Sequence, residues 1–193
     1  MPPYIRSSSI AVPPSQASIN HFTSIPWCAR YFNDPAYTAI NTPAWVLSEN
    51  GEDTLFAGTL KTKDTIPIIQ AFYKAPQGGG SGNTGNYGEV VTLVQLGSGL
   101  NGHPNISHGG ALMAILDELM AIPITFYKAR SIFTVNFSTD FKKPVPTPSV
   151  ILCRCALAKI EGRKFHAEGS LEDGEGSIYT KAKGLWLEFK EKL

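Results

Sequence analysis

The segment 101-NGHPNISHGGALMAILDELMA-121 constrains this chain more than any other. From Ala111 to Ala121 it is almost wholly apolar and of helical length, yet Asp117 and Glu118 interrupt it in the middle. A helix with apolar side chains on every side has to be surrounded by other structure. The two carboxylates then need a reason to be there, because a buried, unpaired carboxylate costs several kcal/mol even after relaxation (roughly). Gly109 and Gly110 open the run behind His108. Lacking side chains, they leave the unsatisfied N–H groups of a helix N-terminus, at the positive end of its dipole, open to approach. That suits an anion or a carbonyl oxygen gaining negative charge.

What surrounds the helix is readable downstream. Residues 131-SIFTVNFST-139 alternate with period two, Phe133, Val135 and Phe137 on one face and Ile132, Thr134, Asn136 and Ser138 on the other. Three more strands read at 149–160, 163–172 and 177–190, joined by the turns 161-EG-162 and 173-DGEG-176. Upstream, 89-EVVTLVQLG-97 is a strand, 54-TLFAGTLKT-62 is strand-like, and 65-TIPIIQAFYKA-75 starts irregularly because of Pro67. Many antiparallel strands and one long apolar helix predict an α+β fold, a sheet curled around that helix.

The remaining upstream text is less regular. Residues 1–20 read as an unstructured lead; Asp34 and Pro35 predict a helix start at 33-NDPAYTAI-40, and a short element follows near Trp45. The expected division is an N-terminal extension over 1–50, partly disordered with short helices, and a folded domain over 51–193. The glycine-rich 77-QGGGSGNTGNYG-88 lacks a following GK[ST] and a helix, so it reads as a hairpin loop and not a phosphate cradle.

Composition narrows the function. Apolar residues make up 42%, charged residues 17%, and net charge is +1, which excludes a nucleic-acid surface and intrinsic disorder. No run reaches the roughly 18 apolar residues of a membrane span. Cys28, Cys153 and Cys155 show no disulfide framework and no zinc spacing, so no metal is expected. Cys153 and Cys155 would share one strand face. An intracellular location follows, cytoplasmic or mitochondrial: residues 1–33 contain no Asp or Glu, as in a mitochondrial presequence, but only two Arg.

Asp117 stands nine residues after His108, roughly 13–14 Å along a straight helix and on its opposite face. The two cannot act on one carbonyl from one helix. Either they are unrelated, or a two-fold dimer builds composite sites with His108–Gly109 from one subunit and Asp117 from the other.

His-Gly-Gly with an Asp nine positions after the His resembles the acyl-CoA thioesterases of the hot-dog fold, in the branch of phenylacetyl-CoA thioesterase-like proteins and mammalian thioesterase-superfamily members. The stretches 134-TVNFSTDFKKPVP-146 and 159-KIEGRKFHAEGSL-171 carry the resemblance further, over about residues 50–190. It implies a homodimer, or a tetramer of such dimers, hydrolysing an acyl-CoA thioester without a cofactor. The Gly109 N–H would polarise the carbonyl, with His108 positioning the helix start or the sulfur. Asp117 of the partner would be general base or nucleophile, held by Thr134, with Glu118 as second choice. Gly110, Lys142, Lys143, Arg163 and Lys164 are candidates for the ligand's phosphates, and Met113, Leu116 and Met120 for the acyl pocket.

One departure stands out. Some relatives carry an Asn six residues before the His; here Gly102 fills that place and Asn101 lies one further back, with His103 nearby. Two other readings share the fold: a non-catalytic acyl-CoA-binding protein, and a thioesterase for acyl groups on a carrier protein. A hydratase would place its Asp and His about five residues apart, and no such pair is present. A mere binder has no need of a buried carboxylate beside a thioester.

Overall fold

The computed structural model describes residues 11–47, 49, 51–76, 87–127 and 131–189. Two short helices come first, α1 (Gln16–Thr23) and α2 (Pro26–Asn33), then strand β1 (Tyr37–Ile40). β2 (Ile69–Lys74), β3 (Glu89–Leu96) and the small strands β4 (Asn101–His103) and β5 (Ile106–Ser107) precede the long helix α3 (Gly109–Thr125). β6 (Ile132–Phe141), β7 (Ser149–Glu161), β8 (Lys164–Glu172) and β9 (Ile178–Glu188) follow it. Among the described residues seven strands form one antiparallel sheet in the order β1-β2-β3-β7-β8-β9-β6, and α3 lies against its inner face. The expected α+β architecture, a sheet around a central helix, is what forms.

The inner core joins α3 to alternate residues of the strands. Leu112, Ile115, Leu116, Leu119 and Met120 pack against Val90, Val94, Ile151, Cys153 and Cys155. Cys153 and Cys155 share that face as expected, both unbridged. The intervening residues Phe72, Val91, Leu93 and Leu152 point outward, under Phe22, Cys28 and Tyr31 of α1 and α2. Strands covered on both faces read as continuous apolar runs and not as alternation, which is the text of β2 and β3.

The N-terminal text behaves differently from expectation in three places. Residues 16–23 are helical and not an unstructured lead: Ser15 caps α1 by accepting the Ser18 N–H at 3.1 Å, and Phe22 is fully buried. The helix expected to start at Asp34 does not exist. Asp34 follows the end of α2, its Oδ1 accepts the Ala36 N–H at 2.9 Å, and Tyr37–Ile40 pair with β2. An Asp-Pro pair serves a turn as well as a helix start, and the β-favouring residues after it found a strand to join. The strand-like 54–62 is instead a π-helix, Thr54–Leu60. β1 already occupies the edge of β2, so this segment has no ladder to join there and bonds within itself, its Phe56 ring 4.9 Å from Trp45. The short element near Trp45 is a 3-10 turn, Pro43–Trp45.

α2 is keyed to the β8–β9 turn. Arg30 Nη2 donates to the Gly174 carbonyl at 3.0 Å, and a Cβ on Gly174 would lie 2.2 Å from the Trp27 ring. The glycine-rich loop of the sequence falls largely outside the described residues.

Candidate active site

α3 is positioned at its start by the short β4–β5 ribbon. The His108 N–H donates to Leu100 O at 2.7 Å, and Ser107 N–H to Val145 O at 2.9 Å. A Cβ on Gly102 would lie 2.9 Å from His108 Cα, so no side chain fits where some relatives carry Asn. Asn101 is engaged elsewhere, its Oδ1 accepting the Thr147 hydroxyl, and His103 is exposed.

His108 is the N-cap of α3, and its Nδ1 accepts the Gly110 N–H at 2.9 Å. Nδ1 is therefore unprotonated there. The bond uses the Gly110 donor and leaves the Gly109 N–H with no partner among the described residues. Both glycines sit in tight space. A Cβ on Gly110 would sit 3.0 Å from His108 Nδ1, and one on Gly109 would sit 3.3 Å from the Phe141 ring of β6.

Further along, Asp117 leaves the helix toward the other end of β6. Thr134 Oγ1 donates to Asp117 Oδ1 at 2.8 Å. Burial raises the Asp117 pKa above the ordinary carboxylate value, and the Thr134 bond opposes that rise. The contact depends on a bulge: the register slips between Thr134 and Asn136, so Val135 has no partner on β9. Thr134 pairs with the buried Trp186, and Phe137 with Gly184 two residues back along β9. Thr134 and Phe137 thus share the helix side, while Phe133 and Val135 are exposed. The strict alternation expected for this strand is corrected by that one extra residue.

Gly109, Met113 and Asp117 follow one another at four-residue steps, and Met113 is exposed while Leu116 and Met120 are fully buried in the inner core. Of the expected pocket residues, only Met113 is open to a ligand from the outside. Glu118 points away from this row, and its pKa is pushed up to about 7 by burial first, then by the charges of Asp53 and Asp117. Sequence gave no reason to notice Asp53, which is far from α3 in the chain.

The candidate cations separate into two groups. The Lys142 and Lys143 backbones donate to Tyr179 O beside Phe141, at the Gly109 end of β6; their Nζ atoms reach Asp140 at 3.2 Å and Ser177 at 3.1 Å. Arg163 Nη1 donates to Glu188 O at 3.1 Å, next to Ile132 and the Asp117 end; Lys164 is exposed beside it. Among the described residues no helix is long and apolar enough to cross a membrane.

Residues 105–179, from the β4–β5 turn into β9, match the thioesterase superfamily. This stretch is similar to thioesterase-superfamily domains. The domain's helix, cap and Asp117–Thr134 pair all lie within the match. The acyl-coenzyme A thioesterase THEM4 of Rattus norvegicus is 33% identical over 99 residues, 51% of this chain and 42% of that protein. The human acyl-coenzyme A thioesterase THEM5 is 31% identical over 101 residues, 52% of this chain and 40% of that protein. The chain thus spans about two fifths of the length of these curated relatives. Solved structures bear on the fold alone. A thioesterase superfamily protein superposes with a TM-score of 0.50 at 21% identity, covering 63% of this chain and 56% of that one. The E. coli PaaI protein of the phenylacetic acid degradation operon gives 0.50 at 10% identity, covering 54% and 75%. The sheet wrapped around α3 has the hot-dog fold.

Proposed function

We propose that this chain hydrolyses an acyl-CoA thioester to the free acid and CoA, as a homodimer with two composite sites. The observation that carries the reading is the separation on one helix of an unused N–H at Gly109 and an anchored carboxylate at Asp117. Eight residues put them about 12 Å apart along the axis, too far for one carbonyl. β6 is the outermost strand of the sheet, and it touches Gly109 through Phe141 and Asp117 through Thr134. If the β6 edges of two copies pair antiparallel about a two-fold axis near Phe137 and Ser138, Thr134 of one copy meets Phe141 of the other. Each Asp117 then faces the other copy's Gly109, and the Lys142–Lys143 pair of one copy approaches Arg163 and Lys164 of the other. Four cations at one site suit a ligand with several phosphates.

The chemistry follows from the parts. The Gly109 N–H donates to the thioester oxygen and favours the negative charge that grows there. Asp117 takes a proton from a water as its oxygen bonds to the carbonyl carbon. The tetrahedral intermediate collapses, the C–S bond breaks, and the CoA sulfur leaves with the proton held on Asp117. Direct attack by Asp117 would instead form a mixed anhydride; where water opens it at the Asp117 carboxyl carbon, a single turnover in labelled water leaves the label on Asp117, whereas the base route puts it in the released acid. Wild type and Asp117→Asn, compared for thiol release from aryl and short-, medium- and long-chain acyl-CoAs, test the function. Turnover by wild type and its loss in the variant support it; binding without turnover would favour a regulatory binder or a carrier-protein substrate.

A further inference from the structure

Between the second half of α3 and the segment after β1 lies a cavity of about 390 Å³, within the range of small-ligand pockets. Ala121, Ile122 and Phe126 line one side, and Ile40 and Pro43 line the other. The neutral polar groups of the lining are engaged locally, Asn41 Oδ1 by the Thr42 N–H and the Thr125 hydroxyl by Ile122 O, and two carboxyls stand beside them: Glu118, and Asp53 from the start of the π-helix. Asp53 is held there in a left-handed backbone conformation, φ 61°.

The cavity is adjacent to the reacting end of the site. Ala121 is one turn past Asp117, about 6 Å along the helix. A thioester whose carbonyl sits at Asp117 therefore has this space within reach of its acyl tail. Asp117 itself turns to Thr134 and leaves the cavity wall to Glu118. Among the described residues Glu118 has no hydrogen-bond donor and no cation; its charged neighbours, Asp53 and Asp117, both repel it. Glu118 is half-buried, so a ligand that covers its carboxyl displaces the remaining water and has to supply a partner in its place. A ligand hydroxyl answers that need in either protonation state, because it donates to a carboxylate and accepts from the acid. A ligand carboxylate would face two acids. A ligand ammonium matches the charge but has to leave water for an apolar wall, a larger loss than for a hydroxyl.

We propose that this cavity receives the tail of the acyl group, and that Glu118 selects chains carrying a hydroxyl over plain chains and excludes those ending in a carboxylate. The proposal rests on the thioesterase reading above and names its substrate class.

The test measures binding and turnover separately. Non-hydrolysable S-alkyl-CoA thioethers of one medium chain length, plain or tipped with hydroxyl, carboxylate or amine, are titrated against the dimer by calorimetry, with S-ethyl-CoA as the short reference. The hydroxyl-bearing chain is expected to bind about tenfold more tightly than the plain one, the scale of one hydrogen bond to a charged group. Glu118→Leu removes that preference. Glu118→Gln keeps it, because the amide still pairs with a hydroxyl, and relaxes the exclusion of the carboxylate. Ala121→Phe, which fills the cavity, weakens medium-chain binding far more than S-ethyl-CoA binding. Equal affinity for plain and hydroxylated chains, tighter binding of the amine, or an Ala121→Phe effect independent of chain length overturns the proposal. Wild type that shows the binding preference but cleaves no thioester overturns the hydrolase reading and leaves the cavity's selectivity standing.

Discussion

Thr134 donates its hydroxyl to Asp117 Oδ1 at 2.8 Å, and this bond ties the middle of α3 to the outermost strand of the sheet. It also opposes burial in setting the basicity of the carboxylate. Two opposed influences on one group make its role measurable.

Thr134→Val removes the influence that holds the Asp117 pKa down. A base works when ionised, so activity falls as pH drops through its pKa, and that fall should begin at higher pH in the variant. The acid limb of the kcat/KM profile is expected to move up, with about a tenfold loss at neutral pH, and Thr134→Ser should restore most of it. Asp117→Asn should lose at least about a hundredfold. An unmoved acid limb in Thr134→Val would separate the bond from catalysis.

Removing the cap at the other end tests the glycines. His108→Ala leaves the Gly110 N–H without its acceptor and should destabilise the protein by about 1 kcal/mol in urea titrations. Gly110→Ala is expected to do similar damage from the opposite side, because its Cβ would press on the imidazole at 3.0 Å.

Val135 is exposed on the outer strand, so Val135→Asp should change monomer stability by no more than about 0.5 kcal/mol. In the proposed β6–β6 pairing, residue 135 stands opposite Asp140 of the other copy, so the variant sets two carboxylates against each other at both ends of the seam. Sedimentation should find monomers, and hydrolysis should fall with the dimer. Conversely, mixing inactive Asp117→Asn with inactive Gly109→Val should regain activity after subunit exchange, because one of the two sites in the mixed dimer is then intact.

Glu118 makes stability depend on pH. Its folded pKa, about 7, lies above the ordinary 4.5. The folded state therefore holds the proton more tightly, and stability declines as pH rises from the lower value through the upper one. Between pH 5 and 8 (roughly that window) wild type should lose about 2–3 kcal/mol relative to Glu118→Gln. Parallel slopes in urea titrations would mean the carboxyl is not desolvated.

Gly174 combines a positive φ of 80° with the Trp27 ring against it. Gly174→Ala should loosen α2 from the sheet and lower stability by about 2 kcal/mol or more, visible as a shift in tryptophan emission before global unfolding.

Much of this was legible from residue order. The apolar run from Ala111 fixed a helix that needed enclosure, and the spaced apolar text after it supplied β6 to β9, because helix and strand periods are local properties of the chain. The His108-Gly109-Gly110 start and the nine-residue offset of Asp117 were likewise visible, since rise and twist per residue do not depend on the fold. Tertiary structure decided the remainder. Whether Asp34-Pro35 opened a helix or a turn, and whether 54–62 became a strand, depended on which edge of β2 was already taken. The bulge that turns Thr134 toward Asp117 depended on pairing with β9, and the meeting of Asp53 with Glu118 on how the N-terminal segment lies against α3. Such contacts join residues far apart in the chain, and no local pattern in either partner records the other.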